Sequence, residues 1–344
     1  MAYSSIIKPT DYFNTKLYTG NATDNTAITG VGFTPSFLWG KNITDNGTNH
    51  YLINAVRGVT KELNTNSNSA EGTDATLIKS FDSDGFTLGD GSLNQSGKNF
   101  VSWNWKANGQ GSSNTDGSIN TTYTSVNTTS GFSISKYTGA GSTSTVGHGL
   151  GVAPKVMIIK CLSNAGNWQF YHEDLGNNKK LLLNTTSAEI SSGYMNSTSP
   201  TNQVFTVIND ADVGTSGYTY IAYCFAEKTG YSKFGSYTGN NNANGVFVYT
   251  GFKPAWVLFK RSSSTENWSL YDNKRLGYNP QSYGLRPNIA NAESQYATTA
   301  SVDFVSNGFK IREAGSNIND GTYIYMAFAE APLVGSNNVP ATAR

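Results

Sequence analysis

Two fixed spacings occur three times along this chain, and they constrain its fold more than any other feature. A Tyr-Thr-Gly triplet begins at Tyr18, Tyr137 and Tyr237, and seventeen residues after each tyrosine comes a proline. Each proline opens a run closed by lysine six residues on: Pro35-Ser-Phe-Leu-Trp-Gly-Lys41, Pro154-Lys-Val-Met-Ile-Ile-Lys160 and Pro254-Ala-Trp-Val-Leu-Phe-Lys260. A phenylalanine in an alternating segment follows at Phe86, Phe205 and Phe309. Each copy ends on an aromatic strand: Phe100-Val-Ser-Trp-Asn-Trp105, Tyr220-Ile-Ala-Tyr-Cys-Phe225 and Tyr323-Ile-Tyr-Met-Ala-Phe328. Self-similarity at a fixed period marks a repeated structural unit. A chain of 344 residues has room for three such units, each of about 100 residues with a core of its own.

Side chains of a strand alternate between its two faces. In the closing strands one face carries Val101/Trp103/Trp105, Ile221/Tyr223/Phe225 and Ile324/Met326/Phe328. The other carries Ser102/Asn104, Ala222/Cys224 and Tyr325/Ala327. The large apolar face is expected on the core, where a one-residue slip would turn it to water and so the register is pinned.

Twenty Tyr, seventeen Phe and six Trp stand among Asn, Thr, Ser and Gly. Aromatic and β-branched residues between such turn formers make short strands with frequent reversals, and Asn, Ser, Thr and Gly disfavour helices. The predicted fold is all-β: three tandem β-sandwich or jelly-roll-like repeats over residues 13–107, 131–229 and 230–332. Residues 53–63 are the best helical segment, although they include Gly58. An N-terminal arm (1–12) and a C-terminal tail (333–344) flank the repeats, and the Gly/Ser/Asn/Thr-rich residues 108–130 read as a linker. That linker predicts a hinged first repeat and a fixed pair of second and third.

Charged residues make up 14% of the chain and the formal net charge is +1, without basic runs. No field therefore steers it toward nucleic acid. No apolar run reaches the roughly 20 residues that span a bilayer, so membrane insertion is not expected. The first residues, Met1-Ala2-Tyr3-Ser4-Ser5, lack the regions of a signal peptide, which predicts synthesis in the cytoplasm. Cys161 and Cys224 alone make no disulfide framework or cysteine zinc site, and are expected as reduced strand residues.

Catalytic signals are sparse. His50, His148 and His172 recur at no shared motif position and form no zinc-binding pair. Asp82-Ser83-Asp84-Gly85 resembles part of a calcium loop, but turn chemistry accounts for it. Glu71, Asp74, Glu173 and Asp174 follow no pattern that places two acids about a glycosidic bond. Gly139-Ala140-Gly141 opens no helix, so a phosphate-loop reading fails. The expectation is a protein that is not an enzyme and binds neither metal nor cofactor.

Surface recognition leaves more to choose from. Trp168-Gln-Phe-Tyr171 and Trp268-Ser-Leu-Tyr271 admit two readings: rings that stack on sugars, or alternate strand residues that fill the sandwich. Trp168 and Trp268 each lie eight residues past the motif lysine, where copy one has Asn49, and this recurrence favours structure. Copy three is four residues longer between its proline and Phe309, an excess placed in residues 275–287. Tyr278, Tyr283 and Arg286 in that Gly/Asn/Ser context suit a contact loop for a partner or glycan. A longer hairpin with its tyrosines lying on the domain is the other reading.

Several segments resemble a virion protein family of marine tailed bacteriophages. They are Asp11-Tyr-Phe-Asn-Thr-Lys-Leu-Tyr-Thr-Gly20, Ala55-Val-Arg-Gly-Val-Thr-Lys61, Ser80-Phe-Asp-Ser-Asp-Gly-Phe-Thr-Leu88 and Val101-Ser-Trp-Asn-Trp-Lys-Ala107. Val146-Gly-His-Gly-Leu-Gly-Val-Ala-Pro154, Tyr223-Cys-Phe-Ala-Glu227, Gly235-Ser-Tyr-Thr-Gly239 and the closing Ala341-Thr-Ala-Arg344 belong with them. The resemblance implies a virion structural protein, assembled in the host cytoplasm, of the tail-fibre or receptor-binding class that attaches the particle to its host. Its partners would be other tail or capsid proteins and a host surface glycan or protein, with a homotrimer expected by analogy with fibres. Capsid decoration or a vertex knob is the alternative role, and a carbohydrate-binding module the second.

Overall fold

A computed structural model describes residues 4–295, 301–315 and 317–334. The chain is all-β, built of antiparallel sheets, with two short 3-10 turns among the described residues, Pro9–Asp11 and Glu173–Leu175. Among the described residues no helix is long and apolar enough to cross a membrane.

One strand order recurs in three successive stretches of chain. In the first, the opening strand Phe13–Thr19 pairs with the closing strand Asn99–Trp105, which pairs with Phe37–Asn42, which pairs with His50–Asn54. The second repeats this order with Phe132–Thr138, Thr219–Phe225, Val156–Cys161 and Gln169–His172. The third does so with Ser232–Thr238, Thr322–Pro332, Phe252–Arg261 and Ser269–Asp272. A small sheet covers one face of each: Thr26–Thr29 with Gly85–Leu88 and Ile78–Asp82, Ser144–Gly147 with Val204–Val207, and Phe247–Tyr249 with Gly308–Ile311 and Val302–Val305. The motif phenylalanines Phe86, Phe205 and Phe309 sit in these small sheets, fully buried.

The large apolar face of each large sheet lies on a core as expected, and the smaller face is buried as well. The smaller face packs inside its own sandwich, where Ala222 and Cys224 join Met157 and Phe205, and Tyr325 and Ala327 join Phe259 and Phe309. The larger face turns inward to a core that all three stretches share. There Trp39, Trp103 and Trp105 of the first meet Ile158, Tyr223 and Phe225 of the second and Trp256, Leu258 and Phe328 of the third. Ring pairs cross between stretches: Phe13–Phe328 at 5.3 Å, Trp105–Trp256 at 5.7 Å and Phe37–Tyr223 at 4.8 Å. Large aromatics bury the most area per residue and contribute most to such a core.

Backbone hydrogen bonds close these three stretches into a ring. Glu71 donates to the Leu162 carbonyl (2.9 Å) and Gly166 to Asn68 (2.8 Å). In the same places Glu189 donates to Ser262 and Glu266 to Thr186 (2.9 Å each), then Glu293 to Ile43 (3.3 Å) and Gly47 to Ala290 (2.8 Å). The first stretch is therefore tied as the others are, and the expected hinge is absent from this arrangement.

Other local expectations change too. Residues 53–63 form a hairpin of His50–Asn54 and Gly58–Asn64 rather than a helix. The Asn54 side chain accepts the Arg57 amide and Gly58 adopts φ +93°, so the chain reverses where a helix would continue. Residues 108–130 are not a free linker. Tyr123–Asn127 adds a strand to the second sheet, and Ile119 bridges Val146 along the edge of the small sheet. The N-terminal segment is no loose arm: Ile6 is buried in the shared core and Ser5 donates to the Thr229 carbonyl. The expected C-terminal tail, apart from Leu333 and Val334, lies outside the described residues.

Candidate functional site

Strand register aligns His50, Trp168 and Trp268, each beside the motif lysine of the neighbouring strand. The tryptophans are wholly buried and fasten one stretch to the one before it. Trp168 Nε1 donates to the carbonyls of Asn64 (3.0 Å) and Ser67 (3.1 Å), and Trp268 Nε1 to that of Leu182 (3.1 Å). His50 takes the same place in the first stretch, with its ring beside the Arg286 backbone. The sugar-stacking reading of Trp168 and Trp268 is thus overturned: neither ring has any exposed surface on which a sugar could stack. Tyr171 and Tyr271 are buried inside the second and third sandwiches and are corrected with them.

An asparagine clasp accompanies each of these residues, and motif reading missed it. Asn66 accepts the His50 amide (2.9 Å) and donates to Asn49 Oδ1 (2.9 Å). Asn184 does so for Trp168 and Asn167 (3.0 and 2.9 Å), and Asn288 for Trp268 and Asn267 (3.0 and 2.8 Å). The clasping pairs are seventeen, seventeen and twenty-one residues apart in sequence. That spacing was the available signal, and it puts the excess of copy three between Asn267 and Asn288.

A third set joins the strand ends Asn54, His172 and Asp272 to the next closing strand. Asn54 Nδ2 donates to the Tyr223 hydroxyl (2.9 Å), His172 Nε2 lies 3.3 Å from the Tyr325 carbonyl, and Trp103 Nε1 donates to Asp272 Oδ2 (3.1 Å). His172 Nδ1 accepts the Asp174 amide, which leaves Nε2 as the protonated nitrogen of a neutral ring. Burial lowers its pKa to about 4, with Asp174 opposing. His148 is occupied likewise, by the Leu150 amide and the Thr201 carbonyl. Asp84 accepts the amides of Gly30 and Gly32, and these bonds hold its carboxyl below the usual range, as a turn residue's would be. Cys161 and Cys224 are free thiols, buried in strands as expected.

The motif lysines Lys41, Lys160 and Lys260 have no exposed surface. Each ammonium donates to the carbonyl of the residue after it, Asn42, Cys161 or Arg261, at 2.7 Å. Desolvation lowers all three to about 8.

Of the candidate surface residues, Tyr278 in the longer loop of the third stretch is the exposed one. Tyr278 is 62% exposed, more than any other large apolar side chain among the described residues. It borders a cleft of about 200 Å³ with Lys274, Asn273, Gln281, Phe304 and Glu330. Gln281 is fixed by two backbone bonds to Val302, 2.7 and 3.1 Å, and its side chain is 4% exposed. Its Oε1 and the buried Oδ1 of Asn273 have no hydrogen-bond partner. Lys253 pairs with Glu330 on the same wall (2.7 Å). Asn279 bonds both backbone groups of Phe304, which holds the loop over the small sheet. Tyr283, half-buried, and Arg286, which donates to Asn317 Oδ1 (3.3 Å), do not line this cleft. Gln281 lay within the loop already singled out, whereas Asn273 and Glu330 carried no signal, being ordinary strand-end residues.

The fold defines a class, antiparallel β-sandwiches around one shared core. The chain belongs to the family described as "Domain of unknown function (DUF7483)", whose model matches residues 8–332. One match thus runs from the docked N-terminal segment to the last strand of the third stretch. No curated protein and no solved structure matches the chain.

Proposed function

We propose that this protein is a non-catalytic structural component of a phage particle, of the tail-fibre or receptor-binding class. Its three stretches are copies of one repeat closed into a rigid ring, and the cleft beside Tyr278 is its recognition surface. The observation that carries this reading is the placing of the four extra residues of the third copy. They set an exposed tyrosine beside a polar cleft in a loop that the other two stretches, four residues shorter here, do not have. The histidines and the motif lysines are engaged in structural bonds, which supports a carrier rather than an enzyme. Partners would be neighbouring virion proteins and a host surface group, after assembly in the host cytoplasm.

Capsid decoration is the second reading, and the closed ring favours it. A chain with its own threefold arrangement can seat singly on a threefold lattice position, without the homotrimer that a fibre would use. Electron cryomicroscopy or antibody labelling of intact particles separates the two. Density at the tail, with adsorption to host cells blocked by added protein, supports attachment. Density on the capsid with no effect on adsorption makes decoration the answer.

A further inference from the structure

We infer that the cleft beside Tyr278 binds one pyranose unit of a glycan, with the tyrosine ring as its stacking platform. The inference deepens the attachment reading and rests on it only for the biological source of the sugar. At about 200 Å³ the cleft is smaller than the roughly 300–1,000 Å³ that takes drug-sized ligands, a size that suits one sugar ring at a chain end or side branch.

The polar groups match a polyhydroxyl ligand. Gln281 is anchored through its backbone and buried, yet its Oε1 has no partner, and the Oδ1 of the half-buried Asn273 also lacks one. A buried acceptor left unpaired costs free energy, so both sites favour a ligand that brings hydroxyl donors. Side-chain amides both accept and donate, and so do sugar hydroxyls, which makes a paired amide–diol contact available. Lys274 and the Lys253–Glu330 pair add a donor and charged groups at the rim. Tyr278 supplies a flat apolar face with few rotors to immobilise. Trp168, Tyr171, Trp268 and Tyr271 are sealed in the core, and of the exposed rings Tyr278 is the one that borders this cleft.

The test uses the full chain and a panel of glucose, galactose, mannose and N-acetylglucosamine at millimolar concentration, followed by saturation-transfer NMR. Ring-proton saturation from at least one sugar is expected, at least tenfold weaker in Tyr278→Ala and in Gln281→Leu. Tyr249→Ala, whose exposed tyrosine lies away from this cleft, should bind as the parent does. Thermal melts of each variant ensure that a lost signal is not lost folding, and Tyr278→Ala on its exposed site keeps the test alive if Gln281→Leu is unstable. No saturation with any of the four sugars, or binding unchanged in Tyr278→Ala, overturns the inference. Host-cell adsorption without sugar binding overturns it while leaving attachment intact. Sugar binding by a chain located on the capsid, without adsorption, upholds it and removes the attachment reading.

Discussion

Raising the pH from 7.5 to 9 is expected to stabilise this protein, because its three motif lysines are buried. Each has a pKa lowered from 10.5 to about 8, first by desolvation. In that interval the unfolded chain keeps its lysines protonated while the folded chain releases them, so the unfolded state binds more protons and stability rises with pH. At pH 7 the full penalty is present, and a shift of this size corresponds to about 3 kcal/mol per lysine at 1.36 kcal/mol per unit. The limiting slope for three protons is about 4 kcal/mol per pH unit near pH 9. Opposing groups take over above this window: Cys224, raised to about 12 by burial, and the buried tyrosines lose stability as their unfolded forms ionise. The urea midpoint should therefore climb from pH 7.5 to 9 and fall beyond 10. Lys160→Met should stabilise the protein at pH 7 by about 1 kcal/mol, since the relieved desolvation of about 3 kcal/mol exceeds the roughly 2 kcal/mol of leaving the Cys161 carbonyl without its donor. It should also remove about a third of the slope. A flat midpoint between pH 7.5 and 9, or a Lys160→Met variant that loses stability with its slope unchanged, would refute the reasoning.

Four further outcomes are expected. Trp268→Phe leaves the Leu182 carbonyl without its donor and should cost about 1–3 kcal/mol in urea unfolding, with Trp168→Phe alike. Asp272→Ala takes from the buried Arg275 guanidinium its 2.6 Å carboxylate partner, leaving Glu293 at 3.3 Å, and takes the acceptor of Trp103 Nε1. It should cost about 1–3 kcal/mol for the lost charged hydrogen bonds, read as a lowered melting temperature. Below pH 6.5 the unfolded chain protonates His172 while the folded chain, with its pKa about 4, does not. Stability should fall between pH 6.5 and 5, and by less in His172→Gln. Residues 131–229 expressed alone expose the face of Ile158, Tyr223 and Phe225 and should aggregate or bind hydrophobic dye, whereas the full chain melts in one calorimetric transition.

Much of the strand pattern was legible, for a local reason. Alternation in Val101/Trp103/Trp105 and its counterparts is a property of neighbouring residues, and so are the turn formers around Gly85 and Gly308. The equal intervals from Tyr18, Tyr137 and Tyr237 to their prolines carried the threefold recurrence of strand order. Residues 53–63 misled because Leu and Val spacing suits either a helix or a hairpin, and the choice was made by the Asn54 cap and by burial of Leu63 against the shared core. The low-complexity look of residues 108–130 concealed edge pairing, which depends on a partner, Val146, far along the chain.

What the sequence by itself determined is the all-β character, the thrice-repeated motif and the position of the longer loop, since each rests on residue type and spacing alone. What only the tertiary structure decided is which face of each sheet meets which neighbour. Ring closure through Glu71, Glu189 and Glu293, the sealing of Trp168 and Trp268, and the fastening of the Tyr278 loop to Val302 and Phe304 all join residues distant in the chain. A tryptophan in a strand has the same local pattern whether its ring faces water or a neighbouring sheet. The packing of three amphipathic sheets around one core makes that choice, by removing the largest apolar faces from water together.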